Sequence, residues 1–496
     1  MKKHVLLIVL DGYGEGKDYK YNAVTRSDTP FLKSLRKNYP STLLRADSEY
    51  VGLPPHTMGG SEVGHFTMGA GRIVYQSLEE INRSIKSGKF FRLKALKAAA
   101  ENCRKNNSKF HILGMISDEG VHSHLDHLFT LLEFAKKEKL KKVYIHAITD
   151  GRDVPERSAD KFIKKINSKI KQLGIGTLAT IIGRYYAMDR DKNLDRTAKA
   201  YDLYASGKGK KESSALEAIK NEYAAGTDTD YYIKPILLDK EGLMEKDDSI
   251  VFFNYRTDRA KQITEAFTKK GFRHFVCFGP YSKTAPVLFS ANKVKNNLGE
   301  TLSKSHLSQL RIAETEKFAH VTFFFNSQIK EPYKGEKRML VPSPKVPSYA
   351  QKPKMSAQRL ASVLLEELNS NKKFDFILLN FANCDLVGHS GEFEAVKKGI
   401  EEIDKELKKI IPRALSKGYA VLLTADHGNA EFMKYPNGED CPAHTLNPVI
   451  FIYISEENKV RSLRKGKNLG LKDVAPTVLK ILRLKKPKEM TGSSLV

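Results

Sequence analysis

The chain has 496 residues, 41% hydrophobic and 29% charged, and its 84 Lys and Arg against 58 Asp and Glu give a formal net charge of +26. That length exceeds what one core ordinarily holds, so two domains are expected, each with a core of its own. Hydrophobic runs too short for a membrane span or signal segment exclude a membrane protein, four dispersed cysteines (Cys103, Cys277, Cys384, Cys441) without a Cys-x-x-Cys pair indicate neither a disulfide nor a thiolate-zinc scaffold, and scattered lysine without interleaved aromatics favours a solvated surface over a nucleic-acid platform. A soluble cytoplasmic protein with neither a nucleic-acid nor a membrane partner is expected.

Val5 to Leu10 is a continuous apolar run, read as a buried strand that delivers Asp11 into the glycine turn Asp11-Gly12-Tyr13-Gly14. The glycines miss the dinucleotide-binding spacing, because Lys17 stands where the third would fall. Ser27-Asp28-Thr29-Pro30 predicts a helix start, with proline in the first turn. The stretch from Met58 to Arg72 then frames one hydroxyl, Ser61, with five glycines, and is read as a loop in which backbone can approach a charged group. Ser61 is the candidate nucleophile. Serine needs a base or a metal to remove its proton, no Gly-x-Ser-x-Gly elbow is present, and the chain is rich in Asp and His clusters, so activation by metal is expected.

From Ser77 the pattern becomes a regular alternation of strand and helix. Apolar runs end at Met115, Ile148, Ile182, Phe253 and Phe278, and amphipathic helices are predicted over Leu125 to Lys137 and Ser158 to Leu173. This is α/β, with a mainly parallel sheet. Ligands of open α/β sheets gather at the carboxyl ends of strands. There the chain places His122, Arg152, Asp153, Arg184, Arg190, Arg256 and Arg259. Arginine forks suit a small acid or its phosphate, although each arginine taken singly is equally a surface residue paired with Asp150, Asp153, Asp189 or Asp258. His122 is read as a hydrogen-bond donor to substrate, and His124 and His127 as structural.

The polar run Asn292 to Asn297 is read as a return linker, and His320 to Phe325 as the next strand. Lys317, beside two glutamates, either covers a phosphate or is solvated. Pro342 to Pro353 holds four prolines and predicts an extended loop. Phe374 to Phe381 predicts a strand opening into a loop with Asp385 and His389; Val396, Ile400, Ile403, Leu407 and Ile410 mark one face of a long helix. Tyr419 to Leu423 is a further strand ending at Asp426 and His427, and His444 precedes the apolar run Val449 to Ile454.

Asp11, Asp385 and Asp426 each follow an apolar strand, and with His389, His427, His444 and the Ser61 oxygen they make seven ligand atoms. That is too many for one tetrahedral centre and suits two open ones, the arrangement that clamps attacking and leaving oxygens in phosphoryl transfer.

With those residues in place the chain resembles the cofactor-independent (2,3-bisphosphoglycerate-independent) phosphoglycerate mutases of the alkaline phosphatase superfamily. The likeness runs nearly end to end, through LDGYG, GGSEVGH with GAGR, DEGVHSH, TDGRD, GRYYAMDRD, RTDRA, AETEKFAHVTFF, NCDLVGHSG, TADHGN and AHT. It implies an α/β fold of two domains with mainly parallel sheets: an alkaline-phosphatase-like domain from residues 1–75 and 298–496, and an inserted phosphotransferase domain, 76–297. It implies that Asp385, His389 and His444 hold one metal and Asp11, Ser61, Asp426 and His427 the other. The two divalent ions are expected to be manganese first, with magnesium, zinc or cobalt also allowed. It also implies that His122, Arg152, Asp153, Arg184, Arg190, Arg256, Arg259 and Lys317 bind substrate, that Ser61, Asp153 and Lys317 are catalytic, and that a monomer interconverts 3- and 2-phosphoglycerate through a phosphoserine. Three positions depart from the family pattern: Thr257 where proline is frequent, Cys384 before Asp385, and Gly60 where asparagine is usual, a change that loosens hydrogen bonding to the phosphoserine. A metal-dependent phosphatase or phosphopentomutase would share the metal half, and a basic nucleic-acid-binding protein would share only the charge; product analysis and salt-sensitive binding separate them.

Overall fold

The computed structural model describes residues 4–290, 294–456 and 462–496, so Asn292 and Lys293 of the expected return linker lie outside the described residues. The chain forms two compact units, one built from residues 1–75 and 292–496 and the other from residues 76–291.

The first unit is organised on a seven-stranded sheet in the order Glu336–Val341, Gln309–Glu314, Phe376–Phe381, His4–Leu10, Tyr419–Thr424, Val449–Ile454, Ser41–Leu44. The first five are parallel, and Val449–Ile454 pairs antiparallel with both Tyr419–Thr424 and Ser41–Leu44. His4–Leu10 lies in the middle, its residues from Val5 on wholly buried, which is why it reads as an unbroken apolar run. Helix Phe393–Ser416 buries the predicted stripe Val396, Ile400, Ile403, Leu407 and Ile410 against this core. The helix predicted after Thr29 is Pro30–Asn38, and two of its first N–H groups donate to Asp404.

Three expectations for this unit are corrected. Ser61 is not in a loop: it is the first residue of helix Ser61–Ala70, and the glycines preceding it supply the entry. The segment after Phe381 likewise forms a short helix, Asn383–Gly388. His320 to Phe325 is not a strand. Its aromatic, β-branched composition imitates one, but the chain leaves strand Gln309–Glu314 into helix Thr315–Ala319 and widens there, the Phe325 N–H donating to His320 O five residues back. Edge strand Glu336–Val341 was hidden by its charged, half-exposed residues. The proline segment is mostly extended, with one turn at Tyr349–Gln351.

The second unit has its own seven-stranded sheet, in the order Lys210–Lys211, Ile236–Leu237, Thr177–Gly183, Val143–Thr149, Phe110–Met115, Ser249–Phe252, His274–Cys277. All neighbours are parallel except the pair Thr177–Gly183 with Ile236–Leu237. Helices Leu125–Lys137 and Ala159–Leu173 fall where the amphipathic patterns predict them. The four cysteines are buried and free, and no helix of the described residues is long and apolar enough to cross a membrane.

Candidate active site

In the first unit the parallel strands end together, and the residues that follow them meet. Asp11 follows His4–Leu10, Asp385 follows Phe376–Phe381 by one turn of helix, and Asp426 and His427 follow Tyr419–Thr424. Gly12 turns the chain at φ +78°, where a Cβ would lie 2.8 Å from the Asp385 backbone. Gly64 lets the Ser61 helix lie against Asp426, whose carbonyl oxygen would be 2.6 Å from a Cβ. A cavity of about 490 Å³ opens over Ser61, Lys317, Asp385, His389 and His444.

The ligand-type side chains fall into two groups, Asp385 with His389 and His444, and Asp11 with Asp426 and His427, each with its donor atoms within 4.8 Å of one another. In the first, His389 Nε2 and His444 Nε2 stand 3.2 and 3.0 Å from Asp385 Oδ1 and 3.3 Å from each other. Their Nδ1 atoms lie 2.8 Å from the carbonyl oxygens of Pro442 and Gly59, which can only accept. Each ring proton is thereby held at Nδ1, and two imidazole lone pairs and a carboxylate oxygen face one point, the chemistry a divalent ion requires. In the second group Ser61 Oγ lies 2.9 Å from Asp11 Oδ1 and 3.0 Å from His427 Nε2, and Asp11 Oδ1 is 3.4 Å from His427 Nε2. The rings of His427 and His444 stack at 4.0 Å, which sets the groups side by side. Both donor sets therefore fit hard or borderline divalent ions.

Lys317 is buried between them, resolving its two readings against a solvated lysine. Its Nζ donates at 2.6 Å to Asp11 Oδ1 and Asp385 Oδ2 and at 2.7 Å to Ser61 Oγ. Burial opposes the Lys317 charge, but the two carboxylates outweigh it and raise its pKa; burial likewise opposes the charge of Asp11 and Asp385, which Lys317 carries well below the usual carboxylate range. His427 is lifted to about 10, because Asp426, Asp11 and Asp385 outweigh the cost of burying the protonated ring. Glu431, buried nearby, accepts from Asn429 N, Asn447 Nδ2 and the Thr445 hydroxyl, tying the loop after His427 to the one carrying His444.

Within the second unit the predicted substrate residues lie at the carboxyl ends of its strands. Arg184 is buried and donates at 2.5 Å to Asp150 Oδ1 and 2.6 Å to Asp153 Oδ2. His122 Nε2 stands 3.9 Å from Asp153 Oδ2, and burial with the Arg184 charge pushes its pKa down to about 4. Arg190 and Arg256 share Asp258 at 2.9 and 3.2 Å, and Arg259 donates to Met188 O. Arg152 is exposed and joined to the group through its backbone N–H on Asp150. Carboxylate pairing, the alternative for single arginines, thus accounts for Arg184, Arg190 and Arg256, yet buried Arg184 Nε and His122 Nδ1 have no hydrogen-bond partner among the described residues. His124 caps helix Leu125–Lys137, and His127 Nε2 meets Asn82 Oδ1 at 3.0 Å, as structural histidines do.

Two polar residues that the sequence reading passed over, His65 and Asn380, lie directly behind Asp11 and Ser61. The signals were present: His65 follows Ser61 by four residues on one helix face, and Asn380 interrupts an apolar strand.

Comparison with known proteins shows the family. The family model described as the BPG-independent PGAM N-terminus matches residues 81–298, and that described as type I phosphodiesterase / nucleotide pyrophosphatase matches residues 287–468. The 2,3-bisphosphoglycerate-independent phosphoglycerate mutases of Moorella thermoacetica and Clostridioides difficile are 46% and 47% identical to the chain, covering 100% of it and 99% of each relative. Among solved structures, a Leishmania mexicana phosphoglycerate mutase at low cobalt concentration is similar with a TM-score of 0.61 and 29% identity, over 99% of this chain and 97% of that one. Identity of this order along the whole length means that the chain belongs to the 2,3-bisphosphoglycerate-independent phosphoglycerate mutases, and is an isomerase of the intramolecular phosphotransferase kind.

Proposed function

We propose that the chain interconverts 3-phosphoglycerate and 2-phosphoglycerate through a phosphoserine on Ser61, using two divalent ions, manganese first, and no bisphosphoglycerate. The observation that carries this reading is the setting of the Ser61 hydroxyl: the first residue of a helix, within 2.7–3.0 Å of Lys317 Nζ, Asp11 Oδ1 and His427 Nε2. Asp385, His389 and His444 would hold one ion, and Asp11, Ser61, Asp426 and His427 the other. When bound, such ions lower the pKa of a serine hydroxyl and neutralise phosphoryl oxygens.

Ser61 Oγ attacks the phosphorus of 3-phosphoglycerate and the bond to the substrate oxygen breaks. Lys317 and the N–H groups opening helix Ser61–Ala70 offset the charge on the phosphoryl group. His122, Arg152, Arg184, Arg190, Arg256 and Arg259 retain the glycerate, with Arg184 Nε and His122 Nδ1 as free donors for its carboxylate. Asp153 gives a proton to the departing oxygen and takes one from the neighbouring hydroxyl, which attacks the phosphoserine and frees Ser61. Residues 1–75 and 298–496 act as the phosphatase-like part and 76–297 as the transferase part, in a cytoplasmic monomer. The test is conversion of 3-phosphoglycerate without bisphosphoglycerate, with and without chelator, in the wild type and in Ser61→Ala. Turnover that survives either change sinks the mechanism, and release of inorganic phosphate as the main product would indicate a phosphatase instead.

A further inference from the structure

Two buried side chains behind the nucleophile take no part in the steps above. His65 lies one turn beyond Ser61 on its helix, and Asn380 is next to last in strand Phe376–Phe381; neither is exposed. Asn380 Nδ2 stands 2.8 Å from Asp11 Oδ2 and 3.1 Å from His65 Nε2. His65 Nδ1 stands 2.9 Å from the Ser61 carbonyl oxygen and 3.2 Å from Asp426 Oδ2.

Only one set of donors and acceptors satisfies these contacts. A carboxylate oxygen accepts, so the NH2 of Asn380 and not its carbonyl faces Asp11. The second proton of that NH2 points at His65 Nε2, which must accept it. The ring proton of His65 is then at Nδ1, where the Ser61 carbonyl accepts it and Asp426 Oδ2 stands 3.2 Å away. Both His65 nitrogens are thereby engaged away from the cavity, so this histidine is not an eighth ligand. Asp11 Oδ2 is held from behind, and Oδ1 alone turns toward Ser61 Oγ, Lys317 Nζ and His427 Nε2.

We propose that His65 and Asn380 are positioning residues for the phosphoryl transfer: a single directed chain, Asn380 Nδ2–H to Asp11 and His65, then His65 Nδ1–H to Ser61 O, fixes which oxygen Asp11 presents and where the start of the Ser61 helix sits relative to it. The ligand and the nucleophile are thus aligned by one support instead of by independent packing. This inference rests on the two-ion reading above. Partners behind a ligand orient it and set the affinity of its metal.

The experiment uses the full chain stripped of metal, with Mn2+ alone as probe, in the wild type and in Asn380→Leu, His65→Leu, His65→Gln and Asn380→Ser. Mn2+ binding is titrated by calorimetry, and melting is followed with and without metal. The wild type is expected to bind two equivalents, and the leucine variants to weaken one of them by roughly 10–100-fold while leaving the other near its wild-type value. His65→Gln, whose amide can accept from Asn380 and donate to the Ser61 carbonyl, is expected to keep most of the affinity that His65→Leu loses. If the leucine variants do not fold, the outcome is read from the other two: Asn380→Ser, with one donor left, must weaken that same equivalent more than His65→Gln does. Two unaltered equivalents in every folded variant overturn the proposal, as does equal weakening of both in step with a fall in the metal-free melting temperature. A wild type that binds fewer than two ions overturns the two-ion reading itself, so the two failures are distinguishable.

Discussion

Replacing Lys317 by methionine keeps the aliphatic stem and deletes the charge, so it isolates what that charge does for the carboxylates around it. Nζ is 2.6 Å from both Asp11 Oδ1 and Asp385 Oδ2, and all three side chains are buried. With an effective dielectric of about 20, each contact corresponds to roughly 6 kcal/mol of gross attraction. Desolvating the ions removes several kcal/mol apiece, so the net loss expected from breaking the cluster on one side is about 3–5 kcal/mol. At roughly 2–4 °C per kcal/mol for a unit of this size, the metal-free variant should melt on the order of 10 °C below the wild type. A divalent ion supplies the missing positive charge, so saturating Mn2+ should close most of that gap. Mutase activity should stay about 100–1000-fold down even then, since a donor to the transferring phosphoryl group has gone. Differential scanning fluorimetry in chelator and then in Mn2+ reads the first two effects, and a coupled mutase assay the third. Equal melting of the two proteins in chelator, or a gap that metal leaves unchanged, would refute the reasoning.

The His427 ring gives a pH dependence of definite sign. Its pKa of about 10 in the folded chain exceeds the ordinary value of about 6.5, so its contribution to metal-free stability is full below about pH 6.5 and lost as pH rises through about 10. An ion bound there must displace that proton, so Mn2+ binding at pH 8 should release roughly one proton and weaken as pH falls; calorimetry in buffers of different ionisation enthalpy would detect the absence of release. At Gly60 the backbone is extended and an added Cβ meets nothing nearer than 3.5 Å, whereas at Gly59 it would lie 1.9 Å from Ala46 O. Gly60→Asn should therefore melt at or slightly above the wild-type temperature, by up to about 1 kcal/mol of stability, and Gly59→Ala well below it; the reverse order would disprove the local geometry. Arg184→Met leaves Asp150 and Asp153 without their buried cation and should cost about 3–5 kcal/mol in urea unfolding, together with a raised KM for phosphoglycerate; an unchanged KM would count against its role in substrate binding.

The parallel strands were legible because strands buried on both faces have no polar side to alternate with, so Val5 to Leu10 and Tyr419 to Leu423 stand out as unbroken apolar runs. The acids that follow them were legible for the same reason, Asp11 as the first polar residue after its run and Asp426 as the first charged residue after its own. What failed was local and compositional. The run His320 to Phe325 has the residues of a strand, but Gln309–Glu314 already occupies the place in the sheet, and burial of Val321 and Phe325, four apart, favours helix. Glu336–Val341 pairs on one side only and carries Glu, Lys and Arg, which conceal it. Ser61 looked like a loop residue because glycines flank it, although Gly64 and Gly69 lie inside the helix. His65 and Asn380 carry their meaning in a contact spanning 315 residues of sequence, which no window along the chain displays.

The central strand of the first unit, His4–Leu10, is the earliest to be synthesised and among the last to be completed. Its neighbours on both sides, Phe376–Phe381 and Tyr419–Thr424, emerge only after the whole of residues 76–291. On the ribosome that second unit, whose paired strands all lie between Phe110 and Cys277, can fold while Val5 to Leu10 remains an unpaired apolar segment with two open edges. The nascent chain thus carries an unpaired apolar strand for most of translation, and chaperone occupancy there should end only when Tyr419–Thr424 leaves the exit tunnel.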